Sequence, residues 1–128
     1  MDAAKLGFTP GTVIQELGWD DDVDEALRVA IEDLTGNALV DEDYGDVADG
    51  VILWWRDGDG DLVDALVDTL RDLVEGGPVW LFTPKVGRPG YVEGADIAEA
   101  APIAGLSTTT TSSASADWAS TKLSTHKR

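Results

Sequence analysis

The stretch that most constrains the fold is residues 51–85, VILWWRDGDGDLVDALVDTLRDLVEGGPVWLFTPK, which reads as strand, turn, helix, turn, strand. Val51 to Trp55 is an unbroken apolar run rich in β-branched and aromatic side chains, and it is too short for a free-standing helix. It fits a strand covered on both faces. Beyond the acidic turn Asp57–Asp61, the residues Leu62, Val63, Leu66, Val67, Leu70, Leu73 and Val74 recur at helical spacing. Gly76-Gly77 is expected to stop that helix, because glycine accepts the left-handed conformation favoured at a helix end. Val79 to Phe82 reads as a second buried strand. A strand–helix–strand unit of this length makes a parallel crossover, which commits the chain to an α/β sheet.

The flanking sequence extends that sheet. Residues 1–8 read as a flexible lead-in, residues 9–125 as a single α/β domain and residues 126–128 as a frayed tail. Thr12 to Leu17 is a strand candidate ending at Gly18, and Asp20-Asp21-Asp22 stands where a helix would start. The apolar face of that helix is Val23, Ala26, Leu27, Ala30, Ile31 and Leu34, and Gly36-Asn37 closes it. Ala38-Leu39-Val40 reads as a short strand. Ala95 to Ala101 makes a short helix. Leu106–Ala116, dominated by Thr and Ser, reads as a strand that turns at Ala116-Asp117 into a second one, Trp118 to Thr125. The expected architecture is a three-layer, Rossmann-like, mostly parallel sheet of about six strands with a C-terminal antiparallel hairpin at one edge.

Charge narrows the function classes. The chain carries 25 Asp and Glu against 9 Lys and Arg, a formal net charge of −16. Nucleic acid and anionic membranes would be repelled over most of such a surface, so neither is an expected partner. No apolar run approaches the length of a membrane span, and with no cysteine present thiol chemistry is excluded. A cytoplasmic location is the simplest expectation. An acidic face can also dock on a basic protein, since charge complementarity steers association.

Three constellations are candidate sites. Arg56 follows the central strand, and Lys85 and Arg88 follow the next, so in a parallel sheet all three lie at the carboxyl edge where open α/β folds bind ligands. They would contact a small anionic ligand or a partner protein, unless they serve to neutralise Asp57, Asp59 and Asp61 beside them. Trp19, in a loop, and Trp118, at a strand start, are expected to be partly exposed, and Trp19 is a candidate contact. The second constellation is Gln15-Glu16-Leu17-Gly18-Trp19-Asp20, where a nucleotide-binding fold would carry closely spaced glycines before a free helix N-terminus. Only Gly18 is present, and the aspartates that follow would repel an anion. The third is Asp57-Gly58-Asp59-Gly60-Asp61 with Asp68 at the twelfth position, which partly matches a calcium loop. Leu62 stands where that loop needs glycine, and the competing reading is a glycine-rich turn ended by a helix-capping aspartate. His126 has no arranged partner.

Several segments together carry a family resemblance: Leu6-Gly7-Phe8-Thr9-Pro10-Gly11, Leu53-Trp54-Trp55-Arg56-Asp57-Gly58-Asp59-Gly60-Asp61-Leu62, Trp80-Leu81-Phe82-Thr83-Pro84-Lys85, and Ala104-Gly105-Leu106 through Asp117-Trp118-Ala119-Ser120-Thr121-Lys122-Leu123. They resemble an actinobacterial family of small proteins with a domain of unknown function. The order of elements resembles a shortened class I methyltransferase core, whose terminal strands form a hairpin at the sheet edge. That resemblance implies S-adenosylmethionine near Glu16, Gly18 and Asp43 in an enzymatic member. Trp19 and Asp20 replace the later glycines of the cofactor loop, which implies a catalytically reduced relative. The function expected on these grounds is a non-catalytic binding or regulatory domain with no cofactor. The alternatives are an S-adenosylmethionine-binding, methyltransferase-like enzyme and a calcium-binding module through Asp57, Asp59, Asp61 and Asp68. The hairpin edge could also pair with itself in a homodimer.

Overall fold

The computed structural model describes residues 3–125. One sheet holds five strands: β1 (Ile14–Leu17), β2 (Gly50–Trp54), β3 (Val79–Pro84), β4 (Leu106–Ser113) and β5 (Trp118–Thr125). Three α-helices, α1 (Glu25–Thr35), α2 (Leu62–Thr69) and α3 (Gly94–Ile103), are joined by a short 3-10 helix at Ala3–Leu6. The strand order is β1-β2-β3-β5-β4. β1, β2 and β3 are mutually parallel, whereas β5 runs antiparallel to both β3 and β4.

The sheet is therefore five-stranded and mixed, where about six mostly parallel strands were expected. Ala38–Val40 does not make a strand: Val40 forms a single parallel bridge to Gln15. The segment turns away at once because Asp41 closes a turn, its side chain accepting from the Asp43 amide at 2.9 Å and its carbonyl from the Tyr44 amide at 3.2 Å. That one bridge nonetheless occupies the outer side of β1. Glu16 N donates to Val40 O at 2.7 Å, Val40 N donates to Ile14 O at 3.1 Å, and the Asn37 side chain donates to Thr12 O at 2.9 Å.

Alternation along the strands separates two apolar layers. Val51, Leu53 and Trp55, with Val79 and Leu81, pack under α2 and α3. Ile52 and Trp54, with Trp80 and Phe82, pack under α1 and the N-terminal segment. The three-layer arrangement and the opposite facing of Trp54 and Trp55 follow from this. Residues 3–8 are a correction to the expected loose lead-in: Ala3, Leu6 and Phe8 are buried in the second layer, and the Trp80 indole donates to Leu6 O at 2.9 Å. The frayed tail and His126 lie outside the described residues.

Two helix limits also differ from expectation. α1 begins after Asp24, whose side chain accepts from Leu27 N at 3.2 Å, so Asp20–Asp22 belong to the preceding loop. α2 ends at Thr69, well before Gly76-Gly77. The chain leaves the helix there because the backbone of Ala48 takes partners from it: Ala48 N donates to Asp72 O at 2.7 Å and Val74 N donates to Ala48 O at 2.9 Å. Apolar residues after Leu70 thus serve a β-bridge between Ala48 and Leu73 rather than two more helical turns.

Candidate functional site: a cleft at the carboxyl ends of β1 and β2

β1 and β2 end side by side at Leu17 and Trp54, and their following loops diverge. Between them opens a cleft of about 860 Å³, bounded by residues 16–20, by Leu39–Glu42, by residues 53–56 and by Ala65, Asp68 and Arg71. The first turn out of β1 is possible only with glycine. Gly18 has φ of 76°, and a β-carbon there would stand 2.2 Å from the carbonyl oxygen of Trp54.

The floor of the cleft is an ion pair between β1 and α1. Glu16 shares the face of Ile14, so its side chain points to the α1 layer, where Arg28 stands next to the core residue Leu27. Arg28 Nε donates to Glu16 Oε2 at 2.6 Å and Nη2 to Oε1 at 2.8 Å, a two-point pairing. The Trp54 indole donates to Glu16 Oε2 at 2.9 Å. Arg28 Nη1 reaches outward to Glu25 at 2.7 Å. Glu16, foremost, and then Glu25 hold the Arg28 guanidinium protonated, raising its pKa despite the opposing effect of burial.

Arg56 forms the wall between the cleft and the hairpin. Its Nε and Nη2 both bond Asp22, and its Nη1 donates to Gly18 O at 2.8 Å and Trp54 O at 3.3 Å and approaches Asp59 at 3.4 Å. The guanidinium also lies 5.3 Å above the ring of Trp118. Burial lowers the Arg56 pKa, but hydrogen bonding and charge from Asp22 and Asp59 outweigh it, and the net direction is upward. On the other side, the Arg56 hydrogen bonds hold the Asp22 carboxyl below its ordinary value, with desolvation opposing. Trp118 is buried, against expectation: it stacks edge-on to Trp54 at 4.9 Å and donates to Asp22 O at 3.3 Å. Trp19 is 55% exposed on the cleft rim.

The structure brings Glu16, Gly18, Trp19 and Arg56 together around the cleft, with Asp59 and Asp68. Asp43, Asp57, Asp61, Lys85 and Arg88 are not among its lining residues. Lys85 donates to the Ser113 hydroxyl at 2.5 Å and Arg88 pairs with Asp117 at 3.1 Å, beside a separate hollow of about 160 Å³. The three cations expected to converge therefore each face a different partner. The calcium pattern also takes another form: Asp61 caps α2, accepting from Val63 N at 2.8 Å and Asp64 N at 3.3 Å, while Asp59 accepts from Arg56 N at 3.0 Å. Among the described residues no three carboxylate or imidazole groups come together as metal ligands.

Arg28 and Arg71 are among the cleft residues that the sequence alone did not single out. Arg28 carries one signal: it is the sole basic residue between Lys5 and Arg56, in a stretch crowded with acids.

Solved structures similar to this chain in fold include methyltransferases. Over 98% of this chain and 90% of theirs, it superimposes on an S-adenosylmethionine-dependent methyltransferase from Aquifex aeolicus with a TM-score of 0.64 at 11% identity. Magnesium protoporphyrin IX methyltransferase from Synechocystis, solved with S-adenosylmethionine bound, gives 0.61 at 14% identity over 97% of this chain and 74% of that one. The O-methyltransferase NcsB1 of neocarzinostatin biosynthesis, solved with S-adenosylhomocysteine, gives 0.67 at 17% over 98% and 51%. The chain thus has a Rossmann-like, methyltransferase-type α/β fold. Residues 3–127 match the model of the family described as "Protein of unknown function (DUF3052)", and the chain belongs to that family. The uncharacterised proteins Rv2239c of Mycobacterium tuberculosis and Mb2263c of Mycobacterium bovis are each 57% identical to it over 104 residues. Those residues are 81% of this chain, and the match spans 66% of the length of each relative.

Proposed function

We propose that this chain is a binding or regulatory domain that keeps the methyltransferase-type fold without transferring methyl groups, and that it takes a small ligand in the cleft at the ends of β1 and β2. The observation that carries this reading is the state of Glu16. Both its oxygens are engaged by Arg28 and Trp54, and the neighbouring Gly18 carbonyl is engaged by Arg56. In this reading S-adenosylmethionine, bound in one of the structural neighbours, is disfavoured, because both oxygens of the carboxylate at the end of β1 are already engaged. The cleft itself has the position and the size of a small-molecule site.

Its lining also bears on the ligand's charge. Six acids (Glu16, Asp20, Asp41, Glu42, Asp59, Asp68) surround three arginines, so an anion is disfavoured there. A small anion at Arg56, Lys85 and Arg88 loses support for a related reason, since each of those cations already has a partner.

The second reading, an S-adenosylmethionine-dependent enzyme, is favoured by the neighbours solved with that cofactor or its product. Calorimetric titration of the purified protein with S-adenosylmethionine, S-adenosylhomocysteine, nucleotides and acyl-CoAs separates the two, together with an assay for transfer of a labelled methyl group. We expect a compound whose binding weakens in Trp19→Ala, and no methyl transfer. Methyl transfer to any acceptor would establish the enzymatic reading instead. Binding that is indifferent to Trp19→Ala would move the site away from the cleft.

A further inference from the structure

We infer that β4 is the surface through which two copies of this chain pair, edge to edge and antiparallel, so that their two sheets continue into each other.

The distribution of charge is the first support. Residues 100–116 hold no charged side chain, the longest such run in the sequence. They make the last turn of α3 and all of β4. Of the 25 acids, 24 precede residue 100, and the other, Asp117, pairs with Arg88 at 3.1 Å. A chain of net charge −16 repels its own copies over most of its surface, so contact between copies costs least where no acid stands. The strand order puts that place at the edge farthest from β1. About a two-fold axis at β4, the two β1 strands and the acidic loops beside them lie roughly 40 Å apart, counting strand spacings across both sheets. Charges are screened over about 8 Å at physiological ionic strength, and those loops then add little repulsion.

The strand itself is the second support. Every β4 residue from Thr108 to Ser113 is exposed, and among the described residues β4 has β5 on one side and no strand on the other. Natural sheets often block such an edge with lysine or proline, and β4 has neither. Its one irregularity is at Thr109, which is skipped in the pairing with β5 and whose hydroxyl donates to Lys122 O at 3.1 Å. Thr110–Ser113 beyond it is regular. Pairing centred on Thr111 sets Thr110 opposite Ser112 of the second copy, and hydroxyl side chains suit such cross-strand positions. An uncharged edge gives a basic or acidic peptide nothing to select it, whereas a two-fold axis makes the same edge complementary to itself.

Sedimentation equilibrium of the full chain tests this. We expect a reversible monomer–dimer equilibrium that tightens as sodium chloride is raised, because screening relieves the repulsion between copies. Thr111→Asp should weaken association on the order of tenfold or more, since it sets two carboxylates against each other at the axis. Val29→Asp adds the same charge at an exposed position of α1 and should leave association unchanged. Circular dichroism shows whether each variant is folded. Crosslinking decides the matter if Thr111→Asp is not. The chain has no cysteine, and on mild oxidation Thr111→Cys should give a disulfide-linked dimer where Val29→Cys gives none. A protein that stays monomeric at millimolar concentration would overturn the inference. So would a dimer that loosens with salt, equal weakening by the two aspartates, or a wild-type dimer whose Thr111→Cys variant does not crosslink.

Discussion

Asp22 and Arg56, 34 residues apart, meet in a two-point ion pair that fastens the loop after β1 to the end of β2. The folded Asp22 carboxyl has a pKa below its ordinary 3.8, so its contribution to stability is present above that value and is lost as pH falls through the folded one. Arg56 stays protonated throughout. With the Asp22 side chain 50% exposed, solvent screening limits the effect to under about 1 kcal/mol. Urea unfolding of wild type and Asp22→Asn should therefore differ near neutral pH and converge in acid.

Gly18→Ala is expected to be among the most damaging small substitutions. It combines a left-handed backbone with a contact of 2.2 Å to a main-chain carbonyl, and neither can be relieved by a rotamer change. A loss of about 2 kcal/mol or more is expected, read as a fall in the denaturation midpoint. If Gly18→Ala were neutral, the close approach of β1 and β2 at the cleft would be wrong.

Glu16 and Arg28 should be energetically coupled. Removing either alone leaves the other charge without its partner, which for a pair as buried as Glu16 and as wet as Arg28 costs about 2–4 kcal/mol. In a double-mutant cycle with Glu16→Gln and Arg28→Met, the double variant should lose less than the sum of the singles. Additive losses would show that the pair is not formed.

Asp61→Ala removes the cap of α2 and should cost about 1 kcal/mol. Because Asp59 and Asp61 are committed to Arg56 and to the helix N-terminus, calcium and chelator should leave the melting temperature of the wild type unchanged. A calcium-dependent rise that disappears in Asp61→Ala would restore the calcium-loop reading.

Leu6→Ala should cost about 2–4 kcal/mol, the range for emptying a buried leucine site. Leu6 is 1% exposed and sits beside Trp80. A surface-like loss near zero would return the N-terminal residues to the status of a loose extension.

What could be read from sequence divides along the range of the interactions involved. The β2–α2–β3 unit and the β4–β5 hairpin declare themselves through local periodicity, and Asp61 declares itself as a cap by standing just before the first apolar residue of its helix. Runs of like residues hide their differences. Asp20, Asp21, Asp22 and Asp24 all suit a helix start, and only packing selects Asp24 as the cap and sends Asp22 to Arg56. The end of α2 is equally hidden, because Leu73 and Val74 continue the helical stripe while their backbone is claimed by Ala48. The cleft floor joins residues from three elements, and no local pattern announces that Glu16 will meet Arg28 and Trp54. A short acidic chain invites the assumption that its few cations are free for ligands. In the folded state Arg28, Arg56 and Arg88 are each paired with a carboxylate.

The bridge that Val40 lays along the outer side of β1 has a consequence for how copies of this protein can associate. With Glu16 N and Ile14 O taken by Val40 and Thr12 O by Asn37, β1 is a poor template for another strand, and among the described residues the sheet has one open edge, at β4. A sheet with two open edges can grow without limit into a fibre. One with a single open edge can join β4 to β4 and must then stop at two.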